Sequence, residues 1–272
     1  MSAIGIAGVG AMGLPMAERL IAAGREVWGF DVRPKSDFGA FAPRMIDAPF
    51  DFAGRCEIVF SVVRGERETM DLLFDRQAIM TANKRPSVVV ITSTLSPKAV
   101  ARIAERLPDG TALIDAPMSG APYRAEDGTL TWMVGGGADD VAKVMVLFKI
   151  MGKEIHHLGP LGAGMTVKVL NNLVSATTVA VVRRALAAAA ALGVSQERLL
   201  AVMSTSSGGT WFGNNFDRIA FSRQGYDPDN TIGILEKDVS CFIDAVSDVP
   251  GHEAGALEAA VIAQLRKLEP ME

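Results

Sequence analysis

Residues 8–13, Gly-Val-Gly-Ala-Met-Gly, set three glycines at fixed spacing between an apolar run and a helix-forming run. In a G-x-G-x-x-G turn the first glycine permits the tight bend and the second lets backbone approach a pyrophosphate. The third lets the following helix pack closely on the strand. That helix offers unpaired N–H groups and the positive end of its dipole to phosphate oxygens. Asp31 stands 18 residues beyond Gly13, at the end of the next apolar run, where a carboxylate accepts the ribose hydroxyls of adenosine. The pattern predicts a dinucleotide site with Gly8, Gly10, Ala11, Met12, Gly13 and Asp31 as contacts, although a methyl-donor nucleotide uses a similar turn. A carboxylate at position 31 repels a 2′-phosphate, which favours NAD. Arg33 can pair with that phosphate or stack on adenine, which keeps NADP open.

Positioning such a turn requires a strand before it and a helix after it. Short β-rich runs at residues 3–7, 26–30, 58–63, 87–91, 112–115 and 131–134 alternate with helical stretches such as 12–23, 67–74 and 97–106. That rhythm predicts parallel βαβ units with helices on both faces, a Rossmann-type doubly wound sheet. The runs 58–63 and 88–91 are continuously apolar, as strands buried on both faces should be. The character changes after Gly159-Pro160-Leu161-Gly162. One long helix is expected from 164 to 192, ending at Gly193, followed by helices at 196–203, around 216–221, at 232–247 and at 253–268. The expected fold is therefore α/β followed by all-α: a dinucleotide-binding domain over 1–160 and a helical substrate and oligomerisation domain over 161–272, joined by the long helix.

Composition narrows the function classes. The 272 residues suit about two domains. With 49% hydrophobic and 21% charged residues, the chain is neither a disordered segment nor a fibre. Lys and Arg total 27 against 31 acids, a net charge of −4 without a basic block, so a nucleic-acid or anionic-membrane partner has no electrostatic support. Cys56 and Cys241 are too few and too far apart for a disulfide scaffold or a four-ligand zinc site, and no metal is expected. The start of the chain reads as a first strand rather than a secretory signal, and no uncharged apolar run reaches about 18 residues. A cytoplasmic protein without a membrane span is the expectation.

Four motifs carry a resemblance beyond the glycines. They are the extension Leu14-Pro15-Met16-Ala17; Asp115-Ala116-Pro117-Met118-Ser119-Gly120 with Gly128-Thr129-Leu130 and Met133-Val134-Gly135-Gly136; Gly162-x-Gly164 with Lys168, Asn171 and Asn172; and Lys237-Asp238. Through them the sequence resembles the β-hydroxyacid dehydrogenase family, which includes 3-hydroxyisobutyrate dehydrogenase and tartronate semialdehyde reductase, and more distantly 6-phosphogluconate dehydrogenase. The resemblance implies hydride transfer between NAD, or NADP, and a small 3-hydroxy acid or its semialdehyde or keto partner. It makes Lys168 the general acid and base, with Asn172 one helical turn later on the same face. A desolvated lysine beside a nicotinamide cation should have a lowered pKa, which suits proton transfer near neutrality. The turn Ser119-Gly120-Ala121 would receive the substrate carboxylate in an anion-binding concavity. Thr94, Val63 and Arg64 would lie along the cofactor. Lys237 would reach the nicotinamide and substrate region, and Asp238 would link helices. Family analogy also implies a homodimer or homotetramer.

Several residues depart from the family pattern. Ala121 stands where a second glycine is usual, and Pro122 has no N–H to donate, so the carboxylate clamp loses a donor. Arg124 then offers a charge for a second anionic group on the substrate. Arg184 stands where many relatives have glutamate, and the family's closing segment, rich in Gly and Asp, is missing after Asp238. These differences leave the hydroxy acid unnamed. Two alternatives follow: an imine reductase on the same scaffold, which Lys168 argues against, and a catalytically silent dinucleotide-binding module.

Overall fold

The structure is a computed structural model that describes residues 2–271. It divides into two compact units, Met1–Lys168 and Val169–Glu272.

The first unit is built on one eight-stranded sheet. Strands β1 (Ile4–Ala7), β2 (Val27–Phe30), β3 (Ile58–Ser61), β4 (Val88–Ile91) and β5 (Ala112–Asp115) pair in parallel in the order β2-β1-β3-β4-β5. Alternation along the strands sorts their side chains into two cores. Ile4, Ile6, Phe60, Val88, Val90 and Ile114 face one side, while Ala7, Val59, Val89 and Ile91 face the other. The first side is covered by α1 (Gly13–Ala22), through Met16 and Leu20, and by a later helix carrying Val144 and Phe148. The second is covered by α2 (Pro49–Arg55), α3 (Glu66–Leu73) and α4 (Pro97–Arg106), through Phe52, Leu73 and Ile103. Helices on both faces bury both strand surfaces, as the continuously apolar runs require.

The remaining strands change the expected picture. β6 (Met118–Ser119) is followed by the short helix α5 (Pro122–Glu126) and then by β7 (Leu130–Gly135). β7 runs antiparallel to both β5 and β6, so the sheet is mixed rather than wholly parallel. The chain reverses through residues 120–129, whose single short helix α5 returns it beside β6 instead of carrying it across the sheet to a parallel position. After α6 (Ala138–Met151), β8 (Gly152–Gly159) pairs parallel to β7. Neither β6 nor β8 shows in the sequence pattern: β6 has two residues, and β8 is a largely exposed strand of Lys, Glu and His without an apolar run.

The helix α7 (Ala163–Ala191) begins in the first unit and continues into the second. The second unit also contains α8 (Gln196–Ser204), α9 (Trp211–Asn214), α10 (Thr231–Val246) and α11 (Ala256–Leu265). The helix expected around 216–221 is only a single 3₁₀ turn, Phe216–Arg218. The last helix starts three residues later than expected, at Ala256, behind the cap residue Gly255, whose N–H donates to the Glu258 side chain at 2.8 Å. Ala176, Val179, Ala180 and Leu186 of α7 form a stripe that packs with Ile232, Val239, Val261 and Leu265. By length and composition α7 is long and apolar enough to cross a membrane, yet this stripe lies in a helical core. Arg183, buried on the same helix, donates to the carbonyls of Ser222, Gln224 and Glu269 and so anchors two loop segments. Arg184, the departure noted in the sequence, is exposed beside it, and nothing in the structure explains its identity.

Candidate active site

The glycine turn follows β1 and opens α1, as its motif requires. Gly8 adopts φ of +94°, and a Cβ there would lie 2.6 Å from the Val62 carbonyl oxygen. A Cβ at Gly13 would lie 2.0 Å from the Gly8 carbonyl oxygen, so helix and turn approach as only glycine allows. At Gly10, by contrast, a Cβ meets nothing within 4 Å, which leaves the backbone open to a ligand. Met12, at the start of α1, supplies no side-chain cap, whereas α4, α8, α9 and α10 are capped by Ser96, Ser195, Thr210 and Asn230. An uncapped helix N-terminus at an open glycine is suited to an anionic group.

Beside the turn lies a cleft of about 470 Å³, lined by Gly8, Gly10, Asp31, Val63 and Arg64 among others. Asp31 takes the Val9 N–H at 2.8 Å on Oδ2 and the Arg33 N–H at 3.1 Å on Oδ1. Arg33 returns the contact, with Nε at 3.0 Å from Asp31 and one Nη donating to the Val9 carbonyl. Burial works to raise the Asp31 carboxyl, but the Arg33 side chain and the two backbone donors hold it below the usual carboxylate range. The Arg33 guanidinium also sits 4.8 Å from the Phe38 ring centroid. The Ser93 hydroxyl donates to the Val63 carbonyl at 2.6 Å, tying the loop that carries Thr94 to the loop that carries Val63 and Arg64. The open glycine, the uncapped helix and the carboxylate at one cleft fit a dinucleotide.

A second group of candidate residues assembles where β5, β6 and α7 meet. Lys168 is buried, and its Nζ donates to the Met118 carbonyl at 2.6 Å, next in chain to Ser119. Ser119 ends β6, Gly120 follows with φ of +143°, and Ala121 is buried. Pro122 occupies the first turn of α5, where its missing N–H costs the helix nothing. Arg124 donates to the Thr129 carbonyl and packs under Gly120, so its charge braces the turn from within.

In the second unit Asn172, Lys237 and Asp238 come together. Asn172 Nδ2 donates to Asp238 Oδ2 at 2.5 Å, and Lys237 Nζ lies 2.7 Å from Asp238 Oδ1. The buried Asp238 thus links α7 to α10 and holds two candidate site residues. Cys56 is buried, and burial pushes its thiol up to about 12, which leaves it protonated and unreactive at neutral pH. In the sequence Asp115 stands in a family motif without a role of its own, and Ser93 has none either. The signal for Asp115 is a carboxylate closing a buried strand, answered by a glycine-rich helix start nearly 50 residues later; Ser93 gave none.

The NAD binding domain of 6-phosphogluconate dehydrogenase matches residues 3–159, more than half of the chain. The chain belongs to the β-hydroxyacid dehydrogenase family. The family described as NAD-binding of NADP-dependent 3-hydroxyisobutyrate dehydrogenase matches residues 162–267. The chain is similar to the NAD-dependent L-serine dehydrogenase of Pseudomonas aeruginosa, 34% identical over 214 residues covering 78% of this chain and 72% of that protein. It is similar to the L-threonate dehydrogenase of Cupriavidus necator, 29% identical over 246 residues covering 89% and 82%. A crystal structure of 3-hydroxyisobutyrate dehydrogenase from Salmonella typhimurium shares the fold, with TM-score 0.83 and 23% identity over 97% of this chain and 93% of that one. As a member of this family the chain is an NAD(P)-dependent oxidoreductase of CH–OH groups.

Proposed function

We propose that this enzyme interconverts a small 3-hydroxy acid and its semialdehyde or keto partner, with Lys168 as the proton-transfer group. The observation that carries this reading is the buried Lys168 amino group, held at the Met118 carbonyl one residue from the Ser119 turn. When bound, the nicotinamide ring supplies the hydride acceptor for oxidation and the donor for reduction. Gly8, Gly10, Ala11, Met12, Gly13, Val63, Arg64 and Thr94 hold the cofactor, and Asp31 receives its ribose hydroxyls. Asp31 supports NAD as the preferred form; Arg33 supports residual use of NADP.

In oxidation the neutral Lys168 amine takes the proton of the substrate hydroxyl, and in reduction the ammonium returns it to the forming alkoxide. A nitrogen hydrogen-bonded to a fixed carbonyl keeps its orientation through this cycle. The Ser119 hydroxyl and the Gly120 N–H hold the substrate carboxylate, and Ala121 narrows the turn. Within the second unit Asp238 orients Asn172 and Lys237, the residues that the family resemblance assigns to substrate. Arg124 serves the substrate indirectly, as the brace of the turn, because its guanidinium is engaged by Thr129. On this reading residues 1–160 provide the cofactor function and 161–272 the helical substrate and assembly function.

The enzyme works in the cytoplasm as a homodimer or homotetramer. Exposed Leu170, Val174 and Val181, spaced four and seven apart along α7, support a protein contact there, and light scattering reads the assembly directly. Imine reductases share the fold, but the residues at the Lys168–Ser119 junction favour hydroxy acids. The test is Lys168→Ala. NAD affinity should hold while turnover on a panel of 3-hydroxy acids falls roughly 10²–10⁴-fold. Near-normal turnover overturns the reading.

A further inference from the structure

Asp115 closes β5 with its side chain wholly buried, and the reaction described so far does not use it. Its Oδ1 accepts the Gly162 N–H and its Oδ2 accepts the Met165 N–H, both at 2.7 Å. These donors flank the start of α7, so the carboxylate caps the helix with both oxygens. The approach is close enough to exclude other side chains. A Cβ at Gly135 would lie 2.3 Å from Asp115 Oδ1, and one at Gly164 would lie 2.4 Å from the Met133 carbonyl oxygen and 2.9 Å from Asp115 Oδ2.

Lys168 follows Met165 by three residues on the same helix, and its Nζ returns to the Met118 carbonyl, three residues after Asp115. The chain therefore closes a small ring. The carboxylate joins the end of β5 to the helix start, the helix carries the Lys168 amino group to the turn, and residues 115–118 lead back to the strand. Such a ring sets the separation between Lys168 Nζ and the Ser119 turn from both ends. Burial pushes the Asp115 carboxyl up to about 6 against its backbone donors, so the protein keeps a charge here at a cost. A cap needed for stability alone is met by an uncharged Ser or Asn, the residues that cap α4, α8 and α10.

We propose that Asp115 is a positioning residue for the reaction: it fixes the start of α7 so that Lys168 Nζ meets the substrate hydroxyl held at the Ser119 turn. This rests on the reading of Lys168 as the proton-transfer group. Misplacing a reacting group by about 1 Å costs on the order of 10²-fold in rate, which sets the size of the effect.

The experiment compares three variants of the full-length enzyme, assayed with the best 3-hydroxy acid of the panel. Asp115→Asn keeps the shape but turns an amide NH₂ toward one of the two N–H groups. Gly164→Ala displaces the helix start while leaving Asp115 intact. Lys168→Ala is the reference. The expected result for the first two is a fall in kcat of about 10²-fold, with KM and the NAD Kd within about twofold of wild type. If Lys168→Ala turns over normally, the reading of Lys168 falls. If Lys168→Ala is inactive but Asp115→Asn and Gly164→Ala keep wild-type kcat, the positioning role alone is overturned. It is also overturned if both variants lose kcat, cofactor affinity and melting temperature together, the mark of a merely structural cap. Should neither variant fold, hydrogen exchange on the wild type decides: Gly162 and Met165 amides protected as well as those of β5 support the tie, and exchange at loop rates overturns it.

Discussion

Asp31, just after β2, and Asp115, the last residue of β5, both accept two backbone N–H groups, yet their surroundings drive them apart. Asp31 is partly buried beside Arg33, and its carboxyl stays below the usual range. Asp115 is fully buried with only backbone donors, and its carboxyl rises to about 6. Backbone N–H groups alone do not offset the desolvation of a buried carboxylate, whereas an adjoining guanidinium does. The two sites also differ in reach. The Asp31 contacts close within one βαβ unit, while those of Asp115 and Lys168 join residues 47 to 50 positions apart.

The sharpest break in this comparison comes from the lysine end, where Lys168→Ala removes turnover by roughly 10²–10⁴-fold and leaves the nucleotide end untouched. The Asp115→Asn variant is expected to follow at about 10²-fold. At the nucleotide end Gly13→Ala does the reverse. Its Cβ would lie 2.0 Å from the Gly8 carbonyl oxygen, and the overpacked turn costs about 1–3 kcal/mol of stability. NAD affinity should fall at least about tenfold by calorimetric titration, because the displaced turn and helix start no longer meet the phosphates.

A smaller effect tests the opposite shifts. The native Asp115 carboxyl, with a pKa of about 6, binds its proton before the unfolded chain does, so its contribution to stability rises as pH falls from 7 to 5. Asp115→Asn does not titrate there. Urea unfolding should therefore show the stability difference moving toward wild type by about 1 kcal/mol across that interval. The Asp31 carboxyl, held low, has the other sign: its contribution is present above the ordinary carboxylate pKa and is lost as pH falls through its lowered native value. The smallest change is expected from Arg33→Ala, where loss of a half-exposed guanidinium shifts the NAD to NADP preference several-fold toward NAD. An unchanged ratio of the two kcat/KM values would remove Arg33 from cofactor selection.

Much of the fold was legible because its signals are local. The runs at 58–63 and 88–91 became β3 and β4, buried on both faces, and the 164–192 helix differs from α7 by one residue at each end. β8 was not legible, since a mostly exposed strand of Lys, Glu and His lacks the apolar pattern that marks buried ones. The antiparallel direction of β7 was not legible, because a strand–helix–strand sequence such as β6-α5-β7 reads like a parallel crossover. Among site residues, Arg124 reads as a free charge in sequence but engages the Thr129 carbonyl once its own loop folds back. Arg183 and Arg184 are alike in local sequence, yet Arg183 is the buried one of the two.

By itself the sequence determined the glycine turn, the Asp31 carboxylate after β2, the helical second half and the family motifs, because each depends on residues close along the chain. Only the tertiary structure decided what Lys168, Asp115, Asn172 and Asp238 touch. Their partners lie 47 to 66 residues away, brought within hydrogen-bond range by sheet order and helix packing that no local spacing records.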